Sequence, residues 1–176
     1  MNTFIILLRG VMPTGKNKVS MALLQSALEE AGLNNVKTYI QTGNLIASSK
    51  LTQAGIEKLV HFTILEKFGG NIPVLARTPQ QLSRILKHIP FQKIDTKKLY
   101  FTLLANNPDK HLLEKFNSIE YSPDQIIYNK NVIYTLYNTK HSDSKFNNNY
   151  FERKLKVTMT TRNYNTMNKL IELVNT

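Results

Sequence analysis

Residues 36–40 and 45–48 are rich in β-formers, and only a polar stretch around Thr42, Gly43 and Asn44 separates them. A connection that short joins the two runs as a hairpin, with Gly43 supplying the positive φ of the turn, so their sheet is antiparallel. Residues 3–9 form an apolar run that stops at Gly10, as a buried strand does when it enters a loop. Leu24, Ala27, Leu28 and Ala31 recur at helical spacing behind the candidate cap Ser20, and Gly32 is the stop. Ile56, Leu59, Val60, Thr63 and Ile64 mark a second amphipathic helix that ends at Gly69 and Gly70, ahead of a strand over 72–77. The order βαββαβ is that of a ferredoxin-like unit, an antiparallel sheet with two helices on one face.

Thr78 caps a connector helix that starts at Pro79 and runs to about residue 88. A second series follows: a strand over 99–104, a short helix over 109–116, and a hairpin of 126–128 with 132–136 around Asn129, Lys130 and Asn131. Residues 4–8 resemble residues 100–104 and the hairpins correspond, which points to an internal duplication. Residues 138–149 are polar, and their run Asn147, Asn148, Asn149 reads as a mobile, solvated loop. A helical piece over 151–156 and a linking stretch over 158–163 lead to a last helix, whose stripe of Tyr164, Met167, Leu170, Ile171 and Val174 is core packing. The expected architecture is α+β: tandem ferredoxin-like (βαββαβ-type) units with antiparallel sheets and an extra C-terminal helix. The lobes are expected at 1–78 and 98–176, joined by a connector over 79–97, with the last helix packing near the first lobe.

The 176 residues, 41% of them hydrophobic, supply a sizeable core without covalent staples. Cysteine is missing, so disulfides, thiol nucleophiles and thiolate metal sites are excluded and a reducing compartment is expected. The apolar run 4–8 is closed at once by Arg9, too short for a secretion signal or a membrane span, so a soluble cytoplasmic protein with no membrane partner is expected. A formal net charge of +11 attracts phosphates, nucleic acid or anionic surfaces. Yet 18 Lys against 5 Arg, beside 19 Asn and 15 Ile, is also what AT-rich coding produces, whereas a dedicated nucleic-acid surface favours Arg. Charge alone does not choose between these readings.

Residues 10–17 match the phosphate-binding spacing G-x-x-x-x-G-K up to the last position, where Asn17 replaces the hydroxyl that ligates magnesium. Together with the antiparallel hairpin, this rejects an ordinary P-loop nucleotide hydrolase. A glycine-flanked loop bearing Arg9, Lys16 and Lys18 still offers backbone N–H groups and charge to an anion, or is simply a basic, solvated turn. Thr160, Thr161, Arg162 and Asn163 precede the last helix, where an anion is favoured and Arg162 clamps it, or where Thr161 or Asn163 only caps. Gln41 and Asn44 flank the hairpin turn, holding a ligand or satisfying the turn's own backbone. Glu152, beside Arg153 and Lys154, suits an ion pair better than acid catalysis. The four His, at 61, 88, 111 and 141, lack metal-ligand spacing, and no hydrolase or metalloenzyme signature and no aromatic RNA-binding motif is present. Neither a metal nor a cofactor is expected.

Leu8-Arg9-Gly10, residues 15–19, residues 38–44 and residues 160–166, with residues 73–78 and Glu152-Arg153, resemble in order and spacing the signature blocks of a bacterial family known as domain of unknown function 1697. Met12, Pro13 and Thr14 depart from its pattern in the first loop, as do Thr42 for Ser, Lys156 for Gly and Tyr164 for Trp. Thr42 and Tyr164 keep the chemistry; Met12 removes a polar group, and Pro13 stiffens the loop. The resemblance implies a cytoplasmic α+β protein with no established activity. Its blocks are dominated by Arg, Lys, Asn, Gln and Thr, which favours a ligand site over a purely structural signature.

The leading expectation is one basic, amide-rich pocket for an anionic, phosphate-bearing small ligand, shared by the first loop, the first hairpin turn and the start of the last helix. Arg9, Lys16 and Arg162 neutralise charge there; Gln41, Asn44 and Asn163 orient the ligand; Asn17 and Thr161 position backbone or ligand oxygens. A nucleic-acid-binding module is the alternative, using a distributed Lys surface over residues 81–176, where 15 basic residues face 8 acidic ones. An enzyme acting on a phosphorylated metabolite by positioning alone ranks third.

Overall fold

The computed structural model describes residues 1–175. Two compact units partition them: Met1–Arg84 together with the chain from Lys169 onward, and Ile85–Asn168. In the first unit the chain runs β1 (Asn2–Leu8), α1 (Met21–Glu30), β2 (Asn34–Tyr39), β3 (Asn44–Ser49), α2 (Gln53–Phe68) and β4 (Val74–Arg77), with α3 (Pro79–Lys87) next. The strands form one sheet of order β2-β3-β1-β4, antiparallel throughout. Phe4, Ile6 and Leu8 of β1 pack with Met21, Leu24 and Leu28 of α1 and Ile56, Val60 and Ile64 of α2, each burial worth about 1.5–3 kcal/mol. Ile5 and Leu7 on the opposite side of β1 are buried as well, which is why the strand reads as an unbroken apolar run.

Helix ends follow the local chemistry. The Ser20 hydroxyl accepts the Leu23 N–H at α1, and Thr52 accepts from Gly55 at α2, while Gly69 closes α2 in the left-handed region at φ +72°. At α3, Thr78 Oγ1 accepts the Gln81 N–H as Gln81 Oε1 accepts the Thr78 N–H, a reciprocal capping box.

The second unit repeats the order: β5 (Leu99–Leu104), α4 (Lys110–Asn117), β6 (Gln125–Asn129), β7 (Val132–Leu136), α5 (Asn148–Leu155) and β8 (Met159–Asn163), with α6 (Tyr164–Val174) next. Its sheet, β6-β7-β5-β8, is again antiparallel. The fold is thus α+β, with two four-stranded antiparallel sheets and six α-helices among the described residues. Leu104, Ile133 and Met159 pack here with Phe116, Phe151, Leu155 and Tyr121, a more aromatic core than the first.

The two units agree at the level of single hydrogen bonds. Leu8 N–H donates to the Gly43 carbonyl at 2.8 Å and Arg9 N–H to Pro73 at 2.9 Å; Leu104 donates to Asn131 and Ala105 to Thr158, both at 2.9 Å. Ile5 pairs with Arg77 as Phe101 pairs with Arg162. These matches set Leu8 against Leu104, Gly43 against Asn131 and Arg77 against Arg162.

Two expectations need correction. Residues 158–163 are not a link to the last helix: Met159–Asn163 is the edge strand β8, paired along β5. Residues 138–149 are held by specific bonds rather than left as a solvated loop. Asp124 accepts from the Asn138 N–H and the Ser144 hydroxyl, Tyr137 donates to the Phe146 carbonyl at 2.6 Å, and Asn147 caps α5.

Candidate functional site

The first loop is anchored at both ends and closed across its neck. Gly10, at φ +76°, turns the chain out of β1, and buried Val19 with the cap Ser20 returns it to α1. Between them Met12 N–H donates to the Asn17 carbonyl at 3.0 Å, Lys18 N–H to Gly15 at 3.1 Å, and Asn17 Nδ2 to Gly10 at 3.3 Å. Pro13, Thr14, Gly15 and Lys16 form an exposed tip, and the N–H groups of Thr14, Gly15 and Lys16 donate to none of the described residues.

The first hairpin turn is built against that loop. Gly43, at φ +82°, lies so close that an added Cβ would stand 2.7 Å from Leu8 Cβ and 3.0 Å from Val11 Cγ2. Asn44 is fully buried, its Nδ2 donating to the Tyr39 carbonyl at 3.1 Å and to Thr42 Oγ1 at 3.0 Å. Ile40 holds φ +51°, an unusual conformation for a β-branched residue, and is about half exposed. Gln41 is exposed, and Arg9 is partly so. A Cβ on Gly70 would meet the Lys16 carbonyl at 3.4 Å, so the loop also reaches the segment ahead of β4.

The first loop and the first turn therefore come together where Gly43 packs on Leu8 and Val11, while Lys16 lies by Gly70 ahead of β4. Asn17 and Asn44 serve there mainly as internal braces. Thr161, Arg162 and Asn163 belong to the second unit, and their groups are engaged inside it. The Thr161 hydroxyl lies 2.8 Å from that of Thr102 and donates to Asn148 Oδ1 at 2.9 Å, and Asn163 Oδ1 caps α6 by accepting the Thr166 N–H. Arg162 Nη1 donates to the Thr161 carbonyl at 2.8 Å, as its counterpart Arg77 does to Ala76 at 2.7 Å. An arginine folded onto the preceding carbonyl is thus a habit of this strand. Burial lowers the Arg77 pKa, against the pull of the Glu57 carboxylate 3.8 Å away. Glu152 accepts the Met159 N–H at 3.1 Å, securing the start of β8.

Sequence reading missed Gly43 and Gly70 as close-approach positions, because spacing does not show which chain will lie beside a glycine. A cavity of about 520 Å³ lies at the other end of β1, lined by Met1, Gly32, Lys50 and Leu59 among others, and contains none of the candidate residues.

The family model described as protein of unknown function, DUF1697, matches residues 1–134. The chain belongs to the DUF1697 family. The match takes in the first loop and the first hairpin and stops within β7, so the blocks at 152–153 and 160–166 of this DUF1697 chain lie outside the matched residues. No curated protein matches the chain. The solved structure of a conserved bacterial protein, SP0830 from Streptococcus pneumoniae, is similar at 24% identity and a TM-score of 0.79, covering 100% of this chain and 99% of that one. That likeness is one of fold. No helix among the described residues is long and apolar enough to cross a membrane.

Proposed function

We propose that the chain consists of tandem ferredoxin-like units, and that the first binds an anionic, phosphate-bearing small ligand between its first loop and first hairpin turn. The repeated strand order supports the first part. One observation carries the second. To join the first strand to the first helix, the second unit needs only residues 105–109, which hold no cation and end on the acidic cap Asp109. The first unit spends residues 9–20 on the same join, with Arg9, Lys16 and Lys18 around N–H groups that no described residue accepts. The scaffold does not require that loop, and its chemistry is that of an anion cradle. Lys16 and Arg9 supply charge, Gln41 orients the ligand, and Asn17 and Asn44 hold the two backbones in shape. A cytoplasmic setting is proposed with this reading, in keeping with a chain without cysteine.

The test is a thermal-shift panel of nucleotides, sugar phosphates and polyphosphates, followed by titration calorimetry. At least one phosphate compound should raise the Tm by mass action, and Lys16→Gln should weaken that compound about tenfold, or about 1.4 kcal/mol. A panel with no shift ends the proposal. The Lys-rich stretch over 81–176 favours nucleic acid as a second reading; it requires RNA or DNA affinity that falls steeply between two salt concentrations.

A further inference from the structure

At the end of the sheet where its first strand begins, each unit carries two joins: one from its first helix into its second strand, the other from its third strand into its second helix. In the second unit both joins are long, residues 118–124 and 137–147, and they fill that end with rings. Tyr121 and Phe146 are buried in the core there, edge-on to each other at 5.1 Å, and the Tyr121 hydroxyl donates to the Phe116 carbonyl at 2.9 Å. Asp124, at the end of the first join, accepts from Asn138 and Ser144 of the second, and Lys145 Nζ stands 5.0 Å from the centre of the Phe146 ring.

In the first unit the same joins are residues 31–33 and 50–52, and neither holds an aromatic residue. Where the second unit has rings, the first has the cavity of about 520 Å³, lined by residues of both joins. That volume is in the range of small-molecule sites. Buried Leu33, partly buried Leu59 and exposed Leu51 give it apolar walls, while Asn34, Ser49 and Lys50 supply polar groups. None of the lining residues is acidic. Lys50 is exposed, and its ammonium pairs with no described residue. Ser49 Oγ accepts the Leu51 N–H at 3.1 Å, which leaves the hydroxyl proton to give.

We infer that this cavity binds an aromatic carboxylate of one or two rings, the ring lying among Leu33, Leu51 and Leu59 and the carboxylate on the Lys50 ammonium and the Ser49 hydroxyl. The second unit shows what this end of the fold accepts, a ring beside a lysine, and there the chain supplies both. The first unit keeps the lysine and omits the ring. A cation without a neighbouring carboxylate selects an acid over an amine. The cavity shares no residue with the first loop or the first turn, so this inference is independent of the anion reading for that loop.

The test is titration of the full chain with 4-hydroxyphenylacetate and with indole-3-acetate, followed by amide chemical shifts. At least one of the two acids should give saturable shifts centred on residues 31–34 and 49–51. Lys50→Gln should weaken that acid about tenfold and leave the Tm of the free chain unchanged. Leu51→Trp, which supplies a ring from the chain itself, should also weaken it, and Lys16→Gln should not. No saturable shift at those residues at millimolar acid overturns the inference, as does equal affinity for hexanoate, which would leave the ring no part. Undiminished binding in both Lys50→Gln and Leu51→Trp overturns it too, and a loss in Lys16→Gln alone would assign the acids to the first loop instead.

Discussion

The two units close equivalent turns and helix ends with different residues. At the first hairpin turn Gly43 takes φ +82° and leaves no room for a side chain, whereas at the second Asn131 takes φ +64° with a side chain to which the Tyr128 hydroxyl donates at 3.0 Å. Helix α2 ends on Gly69 at φ +72° and α5 on Lys156 at φ +56°, each N–H donating to the carbonyl four residues back. A positive φ is therefore a demand of the scaffold at both places, while the lack of a Cβ is a local demand of the first turn alone, where Leu8 and Val11 press against it. Comparing positions within one chain separates what the architecture needs from what one unit has added to it.

The largest expected effect tests that separation directly. Gly43→Ala must pay both for a left-handed residue and for the overlap with Leu8, together about 3 kcal/mol of stability in urea unfolding. Asn131→Gly should change stability by well under 1 kcal/mol. Similar losses at both sites would mean that close packing is common to both turns, and the comparison would fail.

The next pair is smaller and opposite in sign. Lys156→Gly should stabilise by about 1 kcal/mol by relieving a left-handed lysine, and Gly69→Lys should destabilise by about as much. Thermal unfolding measures both, and a loss at Lys156→Gly would show that the lysine side chain matters more than its backbone.

The smallest effect is a pH dependence confined to the second unit. Burial holds the folded pKa of His141 below its unfolded value of about 6.5, so as pH falls below 6.5 the unfolded chain takes up the proton first and stability declines. About one unit above that value both states are neutral there and His141 adds no slope. His141→Gln should flatten the decline of the Tm between pH 6.5 and 5; an unchanged slope would assign the decline to other groups.

Much of this was readable from residue order, for reasons that are local. Ser20, Thr78 with Pro79, and Asp109 start helices because their oxygens lie within reach of the next free N–H groups. The turn at Gly43 and the strand Leu99–Leu104 declared themselves by conformation and by an unbroken apolar run. Strand β8 did not, because Met159-Thr160-Thr161-Arg162-Asn163 has a single large apolar residue and pairs only along one edge. Asn147 was hidden in a polar run that looked like solvation, although its side chain accepts from Tyr150 to begin α5. As for the candidate site, its cations were visible and the meeting of loop and turn was expected, but the close packing of Gly43 on Leu8 and Val11 was not, since those neighbours are distant in sequence. Arg162 had the look of a ligand clamp until its match with Arg77 became visible through strand register.

The bond across the neck of the first loop, from Met12 to Asn17, makes the tip an appendage rather than a part of the frame. Residues 13–16 can then vary in length and charge with little tax on folding. Grafting a different tip onto the same neck should leave the sheet beneath melting as before.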